Sequence, residues 1–365
     1  MNILYLTSHL DIGGVTSYIL SLASGMKKRG HNVYVASGAG GVLPSFLEND
    51  IFYLPIPIKT KQELSPKVFI SLYKLLKILK GKNIDIIHAN TRVTQVLATL
   101  LNKFTGTRYI STCHGFFKRR LSRRIFPCWG LKVIAISEAV KDHLLEDFAI
   151  KEEDIRLIHN GIDIDKFKVQ SPESKAKKKK ELGLTNGPLV GIVGRLSSVK
   201  GHFYLIEAMK NVLEKITDAQ LLIVGDGKIK QDLVNLSRRL GIDKSVYFIS
   251  SVADTAQVLS AMDLFVMPSL KEGLGLSLME AMASGLSVIA SDVGGIKSLV
   301  QDGHRGKLVH PADSAAISGA ILDLLADKDK ARALGENARR FIRDNFSQDK
   351  MILETEKLYS DCRAL

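Results

Sequence analysis

Short apolar runs alternate with longer stretches of helical periodicity along the whole chain. The runs NILYLT, NVYVAS and IDIIHA, and later PLVGIV, QLLIVG and DLFVMPS, are largely apolar at consecutive positions. Strands of this kind are covered on both faces, as in parallel sheets flanked by helices. The intervening periodicity predicts helices over residues 15–29, 66–80, 91–104, 201–215 and 229–240. The pattern therefore indicates an α/β protein with parallel sheets.

The chain has 365 residues, more than one hydrophobic core usually organises. The polar, lysine-rich stretch 163–180 is the best candidate for a linker. We predict an N-terminal α/β domain over residues 1–165, a second over 166–345, and a helix over 346–365 that packs back toward the first. Open α/β sheets bind ligands at the carboxyl ends of their strands, so we expect the chemistry in a cleft between the two domains.

The cysteines indicate a reducing compartment. Cys113, Cys128 and Cys362 are scattered, and they form neither a disulfide framework nor a metal-binding pair. No apolar run approaches the roughly 20 residues that span a bilayer, and the N-terminal run lacks the basic preface of a signal peptide. We expect a cytoplasmic protein, soluble or attached peripherally to the inner face of the cytoplasmic membrane.

The positive charge is concentrated in one window. The net charge is +13, and residues 59–132 contain 16 Lys and Arg side chains against two acidic ones. Such a window predicts an anionic partner. A nucleic acid is not expected, because neither RNA-module aromatics nor a helix-turn-helix pattern accompanies the charge.

Two segments of this window resemble membrane-surface or anionic-ligand elements. The first is the helical pattern over 66–82, with lysines on its polar side, although packing of its leucines on a sheet explains that pattern equally well. The second follows His114 and places an aromatic pair before five cations. Its acceptor or membrane candidates are Phe116, Phe117, Lys118, Arg119, Arg120, Arg123 and Arg124.

A strand-to-helix turn with two cations predicts a diphosphate site. The sequence GRLSSVKG, residues 194–201, follows the strand PLVGIV and opens a helix. The first N–H groups of a helix are unpaired and carry the positive end of its dipole, and Arg195 and Lys200 add two charges. The spacing is not that of a Walker motif, so an ATPase or GTPase is not expected.

Two carboxylates flank a glycine-rich turn later in the chain. In EGLGLSLME, Glu272 lies in the loop and Glu280 about two helical turns further on, so that both can line one pocket. Carboxylates accept hydrogen bonds from sugar and ribose hydroxyls. The pattern therefore favours binding of a sugar nucleotide.

These motifs together resemble glycosyltransferase family 4. The resemblance rests on GRLSSVKG, EGLGLSLMEAMASG, SDVGG at 291–295, GDG at 225–227 and NGID at 160–163, and it extends to the early glycine pair, DIIHAN and TCHG. It implies the GT-B fold, with two Rossmann-like α/β domains facing each other across a cleft. It also implies retaining, metal-independent transfer from a nucleotide sugar, most commonly a UDP-sugar.

The resemblance also implies residue roles. Arg195 and Lys200 would hold the donor diphosphate, Glu280 the ribose hydroxyls and Glu272 the donor sugar, while His114 would lie near the reacting sugar. His88 and His9 are weaker candidates than His114. The remaining donor-binding candidates are Gly13, Gly14, Gly194, Gly225, Ile249, Ser250, Gly273, Leu274, Gly275 and Leu276.

A retaining transfer needs either a carboxylate nucleophile or departure and attack on the same face of the sugar. We favour the second route, because the resemblance places Glu272 beside sugar hydroxyls. We expect no cofactor and no metal, and a lipid-linked, lipopolysaccharide, capsular or other cell-envelope glycan acceptor. A sugar-nucleotide epimerase or a phosphorylase on the same fold remains the alternative.

Overall fold

The computed structural model describes residues 1–364, with the backbone but not the side chain of Arg124. The chain forms two compact units. The N-terminal unit contains residues 1–161 and the segment from residue 348 onward, and the C-terminal unit contains residues 162–347. In each unit, helices surround one parallel sheet.

The N-terminal unit alternates strands and helices as the apolar pattern predicts. Its elements up to residue 161 are β1 (Asn2–Leu6), α1 (Gly14–Lys28), β2 (Asn32–Ser37), α2 (Leu43–Glu48), β3 (Phe52–Pro55), α3 (Pro66–Ile78), β4 (Ile86–Ala89), α4 (Arg92–Thr105), β5 (Tyr109–Cys113), α5 (Leu121–Ile125), β6 (Val133–Ala135), α6 (Glu138–Phe148) and β7 (Ile155–Leu157).

The sheet of this unit has the order β3-β2-β1-β4-β5-β6-β7. Neighbouring strands are parallel, with Ile3 opposite Val33 in the pair of β1 and β2. Alternate residues of β1 enter different cores, Ile3 and Tyr5 on the side of α1, and Leu4 and Leu6 on the side of α3 and α4. Both faces are covered, which explains why the strands are apolar at consecutive positions.

The C-terminal unit repeats this architecture. Its elements are α7 (Pro172–Glu181), β8 (Leu189–Val193), α8 (His202–Leu213), β9 (Gln220–Val224), α9 (Lys230–Arg239), β10 (Val246–Ile249), α10 (Thr255–Leu259), β11 (Leu264–Met267), α11 (Leu276–Ala283), β12 (Ser287–Ser291), α12 (Ile296–Leu299), β13 (Lys307–Val309), α13 (Ser314–Ala326) and α14 (Lys328–Asn345).

Its sheet has the order β10-β9-β8-β11-β12-β13, again with parallel neighbours. In both units the strand order reverses beside the first strand, between β1 and β4 and between β8 and β11. Loops that leave neighbouring strands in opposite directions at such a point open a crevice, where α/β proteins bind ligands.

The segment predicted as a linker belongs to the C-terminal unit. It includes most of α7, and the buried Lys179 on this helix pairs with Asp263 at 2.7 Å and donates to the carbonyl of Gly187 at 2.8 Å. One lysine of the run is therefore internal, and the linker prediction is wrong for this helix. The last helix, α15 (Gln348–Ala364), returns to the N-terminal unit and packs on α1 around Gly25 and Ile352.

Candidate functional site

The loop after β8 carries the two predicted phosphate-binding cations at the switch point of the C-terminal unit. Its backbone is tied to the neighbouring loop by hydrogen bonds from Gly194 to Val224 at 2.9 Å and from Leu196 to Asp226 at 2.9 Å. The Leu196 side chain is buried, whereas Arg195 points to solvent. In the described part of the chain, no hydrogen bond or ion pair holds the Arg195 guanidinium. This cation is therefore available to a ligand.

The turn into α8 requires glycine at position 201. Gly201 has a φ of +71°, in the left-handed region, and a β-carbon there would lie 1.8 Å from the carbonyl oxygen of Pro268. The Ser198–Lys200 segment before it forms a 3₁₀ turn, so Lys200 lies two residues before α8 begins. The cation and the helix N-terminus together favour binding of an anion at this turn.

Lys200 and Glu272, the two predicted donor ligands on either side of the switch point, are in direct contact. The Lys200 ammonium forms an ion pair with Oε2 of Glu272, and the Ser269 hydroxyl lies 3.4 Å from the same oxygen. Both side chains are partly buried, with exposed fractions of 24% and 13%. The loops after β8 and β11 therefore bring opposite charges together in one partly shielded site.

Close backbone packing shapes the loop that carries Glu272. Gly275 has a φ of +93° and is the N-cap of α11, and the N–H of Gly295 donates to the Glu272 carbonyl at 3.1 Å. A β-carbon at Gly295 would lie 2.0 Å from the carbonyl oxygen of Gly273. The glycine-containing loops after β11 and β12 thus pack against each other. Leu274, in the first of these loops, is buried.

Glu280 lies on α11 in a separate polar environment. The side chains of Thr255, Lys166 and Asp254 are close enough to the Glu280 carboxyl group to affect its charge, and Lys166 and Asp254 pair with each other at 3.1 Å. Burial raises the pKa of Glu280 to about 7, despite the opposing effects of Thr255 and Lys166. A ligand that donates hydroxyl hydrogen bonds would stabilise its ionised form.

The turn after β9 packs against the loop after β8 through glycines. A β-carbon at Gly225 would lie 2.0 Å from the Gly194 carbonyl oxygen, and Gly225 donates to the Ile249 carbonyl at 2.8 Å. Asp226 accepts a hydrogen bond from the N–H of Ser251 at 2.8 Å, which lowers the pKa of its carboxyl group. Ser250 itself is exposed beside this turn. The predicted donor-binding residues Ile249 and Ser250 therefore adjoin the turn after β9, which packs against the loop after β8.

The N-terminal unit places its candidate residues around its own switch point. Gly13 caps α1 without a side-chain hydrogen bond, and α1 begins at Gly14. His114 follows β5, where its Nε2 lies 3.1 Å from the Asn90 Oδ1 and its ring packs edge-on against Tyr18, with centroids 4.8 Å apart. Burial lowers the pKa of His114 to about 3. The imidazole is neutral at physiological pH.

The weaker histidine candidates have other environments. The fully buried His88 bonds the hydroxyls of Tyr359 and Thr112, each at 2.6 Å, and burial lowers its pKa to about 3. It is therefore part of a core network with α15. His9 is partly exposed and lies 3.3 Å from Asp11.

The segment 116–124 is less exposed than its composition suggests. Phe116 packs against the His143 ring at 5.2 Å between centroids, and the Phe117 N–H donates to Nε2 of His143 at 2.9 Å. Arg123 is only 7% exposed and stacks on Phe117 at 3.9 Å from the ring centroid. Burial lowers the pKa of this arginine to about 10. Both phenylalanines and Arg123 therefore contribute to packing within the N-terminal unit.

The cations of this segment differ among themselves. Lys118 and Arg120 are exposed, and Arg119 is exposed but paired with Asp147. The side chain of Arg124 lies outside the described part of the structure. Three neighbouring apolar side chains that the sequence did not single out are exposed: Leu121, Ile125 and Phe126.

Among the described residues, no group of three or more His, Cys, Asp or Glu side chains is arranged to hold a metal ion. None of the described helices combines the length and apolarity needed to cross a bilayer.

Comparison with known families identifies the chain. A model of Glycosyltransferase Family 4 matches residues 12–166, and a model of Glycosyl transferases group 1 matches residues 174–341. The fold and these matches define a glycosyltransferase with the GT-B fold. The chain belongs to glycosyltransferase family 4.

Relatives of known activity and structure agree with this identification. The chain is 28% identical to the UDP-Gal:alpha-D-GlcNAc-diphosphoundecaprenol alpha-1,3-galactosyltransferase of Escherichia coli, over 88% of this chain and 87% of that protein. It is 26% identical to the N-acetyl-alpha-D-glucosaminyl L-malate synthase of Bacillus anthracis, over 98% and 96%. The structure of Anabaena Alr3699/HepE with UDP-glucose is 25% identical, with a TM-score of 0.88 over 99% and 100% of the two chains.

Proposed function

We propose that this protein is a retaining, metal-independent enzyme that transfers a hexose or N-acetylhexosamine from a UDP-sugar to a lipid-linked or other cell-envelope glycan. The observation that carries the donor half of this proposal is the contact between Lys200 and Glu272 at the switch point. Two relatives support the choice of a UDP-sugar donor and a lipid-linked acceptor. One uses UDP-Gal and an acceptor linked to diphosphoundecaprenol, and the other has been crystallised with UDP-glucose.

The donor would replace the ion pair with contacts to its own groups. Lys200 and Arg195 would bind the diphosphate beside the N-terminus of α8, and the released Glu272 carboxylate would accept hydrogen bonds from the sugar. Glu280 would accept the ribose hydroxyls. The backbone around Leu274–Leu276 would contact the sugar and phosphates, and the backbone near Ile249 and Ser250 would contact the base.

The proposed reaction proceeds on one face of the sugar. The bond between the anomeric carbon and the diphosphate oxygen breaks, the acceptor oxygen bonds to the same face of that carbon, and the acceptor proton passes to the leaving phosphate. Positive charge from Arg195 and Lys200 would stabilise the departing diphosphate in the place of a metal ion. In this proposal Glu272 binds the sugar and is not a nucleophile, while His114 contacts the sugar.

Transfer from labelled UDP-sugars to a bacterial lipid extract tests this function. We expect a glycosylated lipid with retained anomeric configuration by NMR, at an unchanged rate in EDTA. Conversion of the donor without acceptor to an epimer would favour the epimerase alternative, and dependence on inorganic phosphate would favour a phosphorylase. An inverted product, or loss of activity in EDTA, would contradict the corresponding part of the proposal.

We also propose that the N-terminal unit binds an anionic membrane through the outer face of α3. The inner face of this helix carries the buried Leu72 and Leu75, so packing accounts for these leucines. Phe69, Ile70 and Tyr73 nevertheless face outward with exposed fractions of 50%, 48% and 69%. A helix that is apolar on both faces has a second surface to bury.

The exposed side chains of α5 adjoin this helix. Glu63, just before α3, lies 3.5 Å from the Ser122 hydroxyl and pairs at 2.9 Å with Arg92, which in turn donates to the Phe126 carbonyl at 2.6 Å. These contacts join the two elements into one surface. The surface includes the exposed apolar side chains of Leu64, Phe69, Ile70, Tyr73, Leu121, Ile125 and Phe126, and the exposed cations Lys67, Lys74, Lys77, Lys118 and Arg120.

Apolar side chains among cations complement the headgroup region of an anionic bilayer. The triple variant Phe69→Ser, Ile70→Ser, Tyr73→Ser should bind vesicles of phosphatidylglycerol and phosphatidylcholine roughly tenfold or more weakly than the wild type. Phe104→Ser is the matched control, because Phe104 is 64% exposed near the far end of α4. Equal cosedimentation of the triple variant and the wild type would contradict the membrane proposal.

A further inference from the structure

Asn90 is held beside His114 in a fixed orientation. This residue follows β4 and is only 3% exposed, and its backbone N–H donates to the Leu6 carbonyl at 3.0 Å. Its side-chain Nδ2 donates to the His88 carbonyl at 3.2 Å. A carbonyl can only accept, so the amide nitrogen must face His88 and the amide oxygen must face His114.

This orientation determines which nitrogen of His114 carries a proton. The Asn90 Oδ1 lies 3.1 Å from Nε2 of His114 and can only accept a hydrogen bond. Nε2 is therefore protonated. Because burial keeps the pKa of His114 near 3, the ring is neutral and its Nδ1 has a free lone pair.

The surroundings hold the ring but do not supply a charge. Tyr18 on α1 packs edge-on against it, at an interplanar angle of 75°, and the Tyr18 hydroxyl lies 3.3 Å from that of Thr112. The other titratable groups nearby are the neutral His88 on β4 and the Cys113 thiol, which donates to the Gly115 carbonyl at 3.1 Å. The His114 residue as a whole is nevertheless partly exposed.

We propose that Asn90 is a positioning residue that holds His114 as the Nε2–H tautomer, with Nδ1 as a hydrogen-bond acceptor for a hydroxyl of the donor sugar. This inference rests on the proposed contact between His114 and the sugar. In the opposite tautomer, Nδ1–H would donate a hydrogen bond to the sugar, and the lone pair of Nε2 would face the Asn90 Oδ1. Two acceptors would then face each other without a proton between them. The substrate chemistry that fits the site is therefore a sugar hydroxyl that donates toward the ring.

The tautomer can be measured without any substrate. In the full-length protein with ¹⁵N-labelled histidine, long-range ¹H–¹⁵N spectra should show His114 with protonated Nε2 and unprotonated Nδ1 from pH 8 to pH 5, its signals being assigned from their absence in His114→Gln. Asn90→Ala should produce a mixture of tautomers. Asn102→Ala, which removes a side-chain bond to Thr107 at the far end of α4, should leave the His114 signals unchanged.

Asn90→Asp adds a readout that a purely structural residue would not change. A carboxylate beside Nε2 favours the imidazolium, and if the pKa of His114 rises to about 7, nine-tenths of the rings are protonated at pH 6. Relative to the wild type, whose own pH dependence includes the ionisation of Glu280, turnover of the nucleotide sugar by Asn90→Asp should then be about tenfold lower at pH 6 than at pH 8. Protonated Nδ1 in the wild type, or an unchanged tautomer in Asn90→Ala, would overturn the assignment, whatever the outcome for transferase activity.

Discussion

Glutamine at position 280 should stabilise the C-terminal unit at high pH. Burial raises the pKa of Glu280 from 4.5, the value for an unperturbed side chain, to about 7. The carboxylate is thus disfavoured in the donor-free protein. Glu280→Gln preserves the size of the side chain and an oxygen for the Thr255 hydroxyl, but it removes the charge.

The magnitude follows from the two pKa values. The Glu280 carboxyl group releases its proton near pH 4.5 in the unfolded chain and near pH 7 in the folded unit. The contribution of the protonated group to the free energy of unfolding is therefore fully present below pH 4.5 and is lost as the pH rises to about 7. A tenfold change in an ionisation constant corresponds to about 1.4 kcal/mol, which makes the full loss about 3 kcal/mol. For a unit of this size, that difference shifts the Tm by about 6–12 °C.

Differential scanning calorimetry at pH 5 and pH 8 measures this effect. Relative to the wild type, Glu280→Gln should raise the Tm of the C-terminal unit by several degrees at pH 8 and much less at pH 5. Glu214→Gln is the control, because Glu214, at the end of α8, is 58% exposed and pairs with Lys210 at 3.2 Å. A gain at pH 8 that is absent, or that is equal at both pH values, would refute the interpretation of Glu280 as a desolvated carboxyl group.

Three further predictions concern the loop after β8. Arg195→Ala should weaken binding of UDP roughly ten- to a hundredfold without lowering the Tm, because the guanidinium is exposed; calorimetric titration and thermal unfolding measure the two effects. Lys200→Ala leaves the partly buried Glu272 without its ion pair and should cost roughly 1–3 kcal/mol in urea unfolding; an unchanged free energy of unfolding would contradict this. Gly201→Ala should destabilise the protein more than Gly183→Ala, although both glycines have φ near +70°. A β-carbon at position 183 meets open space and should cost about 1–2 kcal/mol, whereas a β-carbon at position 201 clashes with the Pro268 carbonyl. Equal losses of unfolding free energy in urea would exclude the clash.

The fold was predictable because each sheet is covered on both faces. Strands such as β1 contribute to two cores and read as continuous apolar runs, and the predicted helices match the observed ones within two residues at each end. Two loops of the candidate donor site were also predictable, because Gly201 and Gly275 occupy left-handed backbone conformations that favour glycine. Local sequence therefore carries the information for these turns.

Contacts between distant segments were not predictable in the same way. The environment of Glu280 combines Thr255 with Lys166 and Asp254, whose proximity depends on how α10 and α11 pack. Arg123 is one of several cations in sequence, yet its stacking on Phe117 buries it. The sequence periodicity predicted one apolar face of α3, which packs on the sheet. The second apolar face is evident only from the exposure of Phe69, Ile70 and Tyr73 in the structure.

Calorimetric titration with UDP-, GDP- and ADP-sugars shows whether the chain binds a nucleotide sugar, with wild-type protein and the Glu280→Ala variant compared side by side. We expect one nucleotide sugar, most simply a UDP-sugar, to bind the wild type at one site per chain, and Glu280→Ala to weaken this binding roughly tenfold or more by removing the proposed ribose acceptor. If no nucleotide sugar binds the wild type, or if one binds both proteins equally well, the proposed donor site is wrong.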